Sequence, residues 1–176
     1  MGRGRALLAA LVTACGLLLG AAEVPAADTG KLEITSGETT IRKGQEIEVT
    51  FSLEGYSEIK SGVNALKGTL KYDSAVFELV SQEDFEPVNS WEKLFYNPEN
   101  GQFVLINRAG STEEEAVFRL RLRAGQSVPA GEVSVSVENL SVYEGKEDLI
   151  PAGASLTLSA VVENPETDEN LPPEEG

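Results

Sequence analysis

The middle of the chain alternates between apolar and polar residues with a period of two, and short turn segments interrupt the pattern. It is clearest in EIEVTFSL (46–53), ALKGTLKY (65–72), AVFRLRLR (116–123) and EVSVSVENLSVY (132–143). Since successive side chains of a β-strand point to opposite faces of a sheet, this spacing predicts strands with one buried and one exposed face. Many short strands with almost no helical pattern predict an all-β fold, an antiparallel β-sandwich, over residues 28–162.

The same alternation predicts the side chains of the core. Further strands are predicted for LEIT (32–35), AVFELV (75–80), QFVLIN (102–107) and SLTLSAVV (155–162), and SWEKLF (90–95) is the one candidate for a helical turn. NPENG (97–101) is typical of a hairpin in which Gly101 adopts a positive φ. We expect the core to contain Ile47, Val49, Phe51, Leu66, Leu70, Tyr72, Phe77, Leu79, Phe118, Leu120, Leu122, Val133, Val135, Val137, Leu156 and Leu158.

Residues 1–27 have the composition of a secretory signal peptide. The basic start MGRGR precedes the apolar run ALLAALVTACGLLLGAA and a segment of small residues. A retained membrane anchor is the alternative, since the run approaches membrane-spanning length. We expect cleavage and export, so that the mature protein is secreted or attached to the cell surface without membrane insertion.

The single cysteine and the C-terminal segment lie outside the predicted domain. Cys15 ends the run Val12-Thr13-Ala14-Cys15, which resembles the lipobox of bacterial lipoproteins, and an ordinary signal-peptide cysteine is the alternative to lipidation. The predicted domain contains no cysteine, which excludes disulfides and thiol catalysis there. Residues 163–176 are acidic and proline-rich, which predicts a disordered tail or linker.

Charge and composition exclude several classes of function. The formal net charge is −15, and an acidic surface repels phosphate backbones, so we do not expect a nucleic-acid partner. The chain has no histidine, which removes the commonest general base, the commonest zinc ligand and every Ser-His triad. We expect a monomeric, non-catalytic protein without a metal site or another cofactor.

Three segments together resemble the cohesin family. They are GVNALKGTLKYDSAVFELVS (62–81), NGQFVLINRAG (100–110) and AVFRLRLRAGQSVPAGEVSVSVENLSVYEG (116–145). The resemblance covers most of residues 31–162 and includes the Tyr72-Asp73 corner, where Ser74 replaces the usual proline. It implies a jelly-roll sandwich of about nine strands, similar in architecture to some carbohydrate-binding modules.

The resemblance also implies a function. Cohesins bind dockerins, which are small calcium-dependent modules, through the flat outer face of one sheet. In the best-known class, the strand before Tyr-Asp carries an outward Asn and an outward Asp that hydrogen-bond a dockerin helix. The corresponding positions here hold Ala65 and Lys67. The resemblance therefore implies a protein partner that differs from the dockerins of that class.

Outward positions on two predicted strands suggest where a partner binds. If the two strands share a sheet, as the resemblance implies, their cations form one basic patch that suits an acidic partner. The alternative is an ordinary solvated face whose cations pair with carboxylates. We predict that the partner-binding residues are Ala65, Lys67, Thr69, Lys71, Arg119 and Arg121.

Two further functions remain open from the sequence. Trp91, Phe95, Tyr96 and Phe103 are aromatic residues that could stack on sugar rings, which would make the protein a carbohydrate-binding module for a polysaccharide. A spacer domain of a surface protein, without a ligand of its own, is the third hypothesis.

Overall fold

The computed structural model describes residues 30–161, apart from residues 58, 60, 113, 146 and 150–153. The predicted signal peptide, Cys15 and the acidic tail lie outside the described residues. Within the described part of the chain, no helix is long and apolar enough to cross a membrane.

The described chain forms eleven β-strands, and the all-β prediction is confirmed. The number exceeds nine because short pieces of two or three residues are separate strands. The strands are β1 (Lys31–Ser36), β2 (Thr40–Ile41), β3 (Glu46–Glu54), β4 (Val63–Tyr72), β5 (Phe85–Pro87), β6 (Glu92–Tyr96), β7 (Gln102–Ser111), β8 (Ala116–Arg123), β9 (Gly131–Glu144), β10 (Glu147–Leu149) and β11 (Ala154–Ala160).

The strands form two sheets that pack face to face. One sheet has the order β1-β3-β8-β5, and the other has the order β2-β11-β9-β4-β7-β6 with β10 paired to β9. Neighbouring strands are antiparallel except β2 and β11, which are parallel. The ring of Phe118 in the four-stranded sheet lies 5.2 Å from the ring of Phe103 in the seven-stranded sheet, so the core fills the space between the layers.

Most of the predicted core residues are buried, and three are not. Leu79 is 64% exposed, while Tyr72 and Leu156 are partly buried and pack against the core. Tyr72 stands at the end of β4, where its hydroxyl accepts a hydrogen bond of 3.0 Å from the backbone N–H of Val80. The alternation therefore identifies the inward face of each long strand, although Leu156 within β11 is only partly buried, and it fails at Leu79, which lies beyond β4.

Residues 75–80 do not form the predicted strand. The carbonyl of Asp73 accepts backbone hydrogen bonds from Val76 (3.1 Å) and Phe77 (2.9 Å), so the chain turns directly after β4. Because the segment has no extended pairing beyond a single bridge at Phe77, its alternation carries no information about burial. Leu79 consequently lies on the surface.

The predicted helical turn at residues 90–95 is also wrong. Residues 92–96 form β6, which pairs with β7 in an antiparallel hairpin. The predicted NPENG turn joins these strands, with a hydrogen bond of 2.8 Å from the Gly101 N–H to the Asn97 carbonyl. Gly101 has φ = 74°, and a Cβ there would lie 2.3 Å from the Leu70 carbonyl oxygen, so glycine is required.

Candidate functional site

The two strands predicted to share a binding face lie in different sheets. β4, with Lys67 and Lys71, belongs to the seven-stranded sheet, and β8, with Arg119 and Arg121, belongs to the four-stranded sheet. Since each strand points its apolar side chains into the shared core, the cations of β4 and β8 face opposite exteriors of the sandwich. The prediction of one joint basic patch is wrong.

The arginines of β8 are matched by carboxylates on the neighbouring strand. β3 pairs with β8 so that its glutamates lie beside the outward arginines. Arg119 forms an ion pair of 3.6 Å with Glu48, and Arg121 and Arg123 form ion pairs of 3.2 and 3.0 Å with Glu46. This outer face therefore carries rows of ion pairs between β3 and β8 and is not a free basic surface.

Asp84, in the turn before β5, adds another carboxylate to these ion pairs. Its Oδ2 accepts hydrogen bonds from the Ser81 N–H (3.0 Å) and the Ser81 hydroxyl (2.6 Å), and its Oδ1 lies 3.8 Å from Arg121. Burial acts to raise the pKa of Asp84, but the hydrogen bonds from Ser81 and the charges of Arg123 and Arg121 outweigh it, so the pKa is lowered. The folded state thus favours the ionised carboxylate.

We expect an Asp84→Asn variant to be less stable than the native protein at neutral pH and equally stable in acid. The lowered pKa means that the carboxylate stabilises the fold above its unfolded pKa, near pH 4, and that this contribution is lost as the pH falls through the folded pKa. The loss at pH 7 is about 1–2 kcal/mol, the scale of a hydrogen bond to a charged group. Urea unfolding at a series of decreasing pH values measures the difference, which is expected to shrink below about pH 4, and a difference that does not change with pH would contradict the assignment.

The outer face of the seven-stranded sheet is different, because it carries apolar side chains that are exposed or partly exposed. Adjacent positions of β9, β4, β7 and β6 line up across the sheet: Ala65 lies between Tyr143 and Ile106, and Lys67 is followed by Val104 and then by Phe95. Phe95 is 47% exposed. We call this surface the outer patch, and it consists of Ala65, Lys67, Thr69, Phe95, Val104, Ile106 and Tyr143.

A β-bulge creates an open depression in the outer patch. Lys67 pairs with Ser141 and Thr69 pairs with Glu138, so the single residue Gly68 faces two residues of β9. One of those two, Asn139, has φ = 50°. The resulting depression has a volume of about 400 Å³ and is lined by Lys67, Gly68, Thr69, Phe95, Gln102, Phe103, Val104 and Asn139.

Lys67 differs in its surroundings from the cations that are held in ion pairs. Its ammonium lies 5.3 Å from the centroid of the Tyr143 ring, and side-chain hydrogen bonding to Tyr143, with a smaller contribution from the charge of Asp148, raises the pKa of Lys67. None of the ion pairs between described residues includes Lys67, whereas Arg108 is held by Glu92 through hydrogen bonds of 3.0 and 3.1 Å. Lys67 therefore lies inside a largely uncharged patch, and no carboxylate of the described chain forms an ion pair with it.

The structure brings together only part of the predicted site. Ala65, Lys67 and Thr69 lie in the outer patch, and Lys71 faces the same exterior at the end of β4. Arg119 and Arg121 lie on the other sheet. The apolar members from β6, β7 and β9 were not predicted as partner-binding residues, because only the pairing of strands reveals which outward positions become neighbours.

The predicted sugar-stacking set is also dispersed. Trp91, Tyr96 and Phe103 are buried in the core, with at most 4% of each exposed, so three of the four aromatic residues are not available to a sugar. The Trp91 indole N–H donates to Glu115 at 3.2 Å. Phe95 is the member of this set that is exposed at the surface. In the sequence, the inclusion of Phe95 among these aromatic residues was the only indication of the apolar part of the outer patch.

The described residues include no group of three or more His, Cys, Asp or Glu side chains arranged to hold a metal ion. The chemical features of the outer patch and its depression are apolar groups, amide groups at Gln102 and Asn139, and one cation. Exposed apolar groups of this kind are typical of a surface that another molecule covers.

Comparisons with solved structures identify similar folds at low sequence identity. A cohesin module from a Clostridium perfringens family 33 glycoside hydrolase has a TM-score of 0.61 and 13% identity, and the match covers 77% of this chain and all of that one (100%). A type I cohesin–dockerin complex from Clostridium thermocellum contains a chain with a TM-score of 0.57 and 16% identity, with coverage of 74% and 99%.

A third similar structure is a non-cellulosomal cohesin from the archaeon Archaeoglobus fulgidus. Its TM-score is 0.56 at 12% identity, with coverage of 76% of this chain and 91% of that one. A search of curated proteins found no match.

The family model for the cohesin domain matches residues 30–157, which include ten of the strands in full and part of β11. The match extends over more than half of the chain, and the two-sheet sandwich agrees with it. The chain belongs to the cohesin family.

Proposed function

We propose that this domain is a non-catalytic module that docks a dockerin-like protein through the outer patch. The observation that carries the proposal is the apolar surface on β6 and β7, where the exposed Phe95 lies beside the partly buried Val104 at an open depression and the partly buried Ile106 follows along β7. Contiguous exposed apolar groups on a soluble domain mark a surface that another molecule covers. On the opposite exterior, the outward arginines of β8 are paired with Glu46 and Glu48.

Similar proteins support a protein as the partner. Two of the similar solved structures are type I cohesin–dockerin complexes from Clostridium thermocellum, and another is a cohesin from Acetivibrio cellulolyticus in complex with a dockerin. The resemblance places the family's binding residues on the outward positions of the strand before Tyr72-Asp73, which is β4. Ala65 and Lys67 occupy those positions, so we propose a dockerin-like partner that does not depend on the usual Asn and Asp.

We further propose that the protein works outside the cell. The signal-peptide pattern of residues 1–27 supports export, and the run ending at Cys15 supports a lipid anchor as a variant of surface attachment. Under this proposal the mature protein acts as a monomer.

The proposed function is tested by measuring calcium-dependent binding. The purified protein is titrated by calorimetry with a panel of recombinant dockerin modules in calcium, and the titrations are repeated with excess EDTA. We expect at least one module to bind in calcium and to lose binding in EDTA. A parallel pull-down with insoluble cellulose and xylan tests the carbohydrate-binding alternative. Retention on polysaccharide without any dockerin binding would overturn the proposal.

A further inference from the structure

The position of Lys67 constrains the chemistry of whatever covers the outer patch. Its neighbours across the strands are Ser141 on β9 and Val104 on β7, and both are uncharged. Tyr143 contacts the ammonium through the face of its ring. Any partner that covers Val104 and Phe95 also covers Lys67, because the three positions lie side by side across β4, β7 and β6.

Covering an ammonium without an acceptor is costly. The desolvation of an unpaired charge in an interface outweighs the gain from the surrounding apolar contacts, whereas a carboxylate placed against the charge offsets much of that cost. Tyr143 supplies a cation–π contact and side-chain hydrogen bonding, and Asp148 acts on Lys67 through its charge without forming an ion pair. A carboxylate from the partner supplies the direct ion pair that Lys67 lacks among the described residues.

The charge of the rest of the molecule also favours a partner carboxylate at Lys67 over a carboxylate elsewhere on the surface. With a formal net charge of −15, the chain repels acidic segments over most of its surface. The arginines on the opposite exterior are already paired with Glu46 and Glu48 and attract a partner carboxylate only weakly. A carboxylate is therefore favoured opposite Lys67 and disfavoured over most of the remaining surface, which makes it a determinant of specificity.

We propose that the partner presents one Asp or Glu opposite Lys67 and an apolar side chain that enters the depression beside Phe95. The inference rests on the proposed docking function and specifies the chemistry of that partner. The depression supports the apolar half of the contact, since Phe95, Val104 and the Thr69 side chain line it.

A selection experiment tests this inference and does not require the natural partner. Dockerin modules randomised at the exposed positions of one helix are displayed on yeast and selected for calcium-dependent binding to the protein. We expect the selected helices to combine one carboxylate with apolar residues. A Lys67→Glu variant is expected to bind them about 10- to 100-fold more weakly, and exchange of the helix carboxylate for lysine is expected to restore its binding.

A matched charge reversal on the other sheet is the control. Arg119→Glu changes the net charge by the same amount and is expected to leave the affinity within about twofold, because it lies on the opposite exterior. Lys67 is exposed, so the Lys67→Glu protein is expected to keep its unfolding midpoint, which is measured alongside.

Two results would overturn the inference in different ways. Selected helices that need Phe95 for binding but lack a carboxylate, and that bind Lys67→Glu with unchanged affinity, would refute the role of Lys67 and leave the docking function intact. A library from which no helix binds in a calcium-dependent manner would remove the docking function and this inference together.

Discussion

Replacement of Phe118 by alanine is expected to destabilise the protein by about 3–5 kcal/mol, the range for truncating a fully buried aromatic side chain. Phe118 lies at the centre of the sandwich with none of its surface exposed. Its ring is 4.1 Å from Phe51 and 4.6 Å from Phe85 in the same sheet, and 5.2 Å from Phe103 in the opposite sheet. Alanine would leave a cavity that these rigid rings cannot fill, and equilibrium unfolding in urea measures the loss.

The next residue on the same strand provides the control for Phe118. Arg119 points outward, and its ion pair with Glu48 is partly exposed, so Arg119→Ala is expected to change the free energy of unfolding by no more than about 1 kcal/mol. A Phe118→Ala protein that loses less than about 1 kcal/mol would contradict the placement of this ring at the junction of the two sheets.

Replacement of Phe95 by alanine is expected to have the opposite profile, with little effect on stability and a large effect on docking. Its ring is 47% exposed, and Phe95 lines the open depression of the outer patch. Aromatic residues at the centre of an interface commonly contribute about 2 kcal/mol or more to binding, which corresponds to roughly a 30-fold loss of affinity. Calorimetric titration with a dockerin that binds the native protein measures this change.

Leu79 offers a matched comparison for Phe95. It is another large apolar side chain on the surface, 64% exposed, but it lies in the turn after β4 and outside the outer patch. We therefore expect Leu79→Ala to leave dockerin affinity unchanged. Equal losses of affinity in the two variants, or none in Phe95→Ala, would show that the partner uses another surface.

The alternation in the sequence predicted the inward face of the long strands correctly. In β8 it assigned Phe118, Leu120 and Leu122 to the core and placed the arginines outside, and the structure agrees. It failed at Leu79, because the hydrogen bonds that Asp73 accepts turn the chain and end the strand geometry on which the alternation depends. The turn at Asp73 thus prevented a segment with the alternation of a strand from forming one.

The sequence by itself determined the all-β class, the buried face of each long strand and the resemblance to the cohesin family, because these depend on residue order along one strand at a time. Only the tertiary structure decided that β4 and β8 belong to different sheets, that Arg119 and Arg121 are paired with β3 carboxylates, and that Phe95 and Val104 lie beside Lys67. The physical reason is that a period of two specifies which side of a strand faces the core, whereas the neighbour of each strand is chosen by backbone pairing between residues that are distant in the chain.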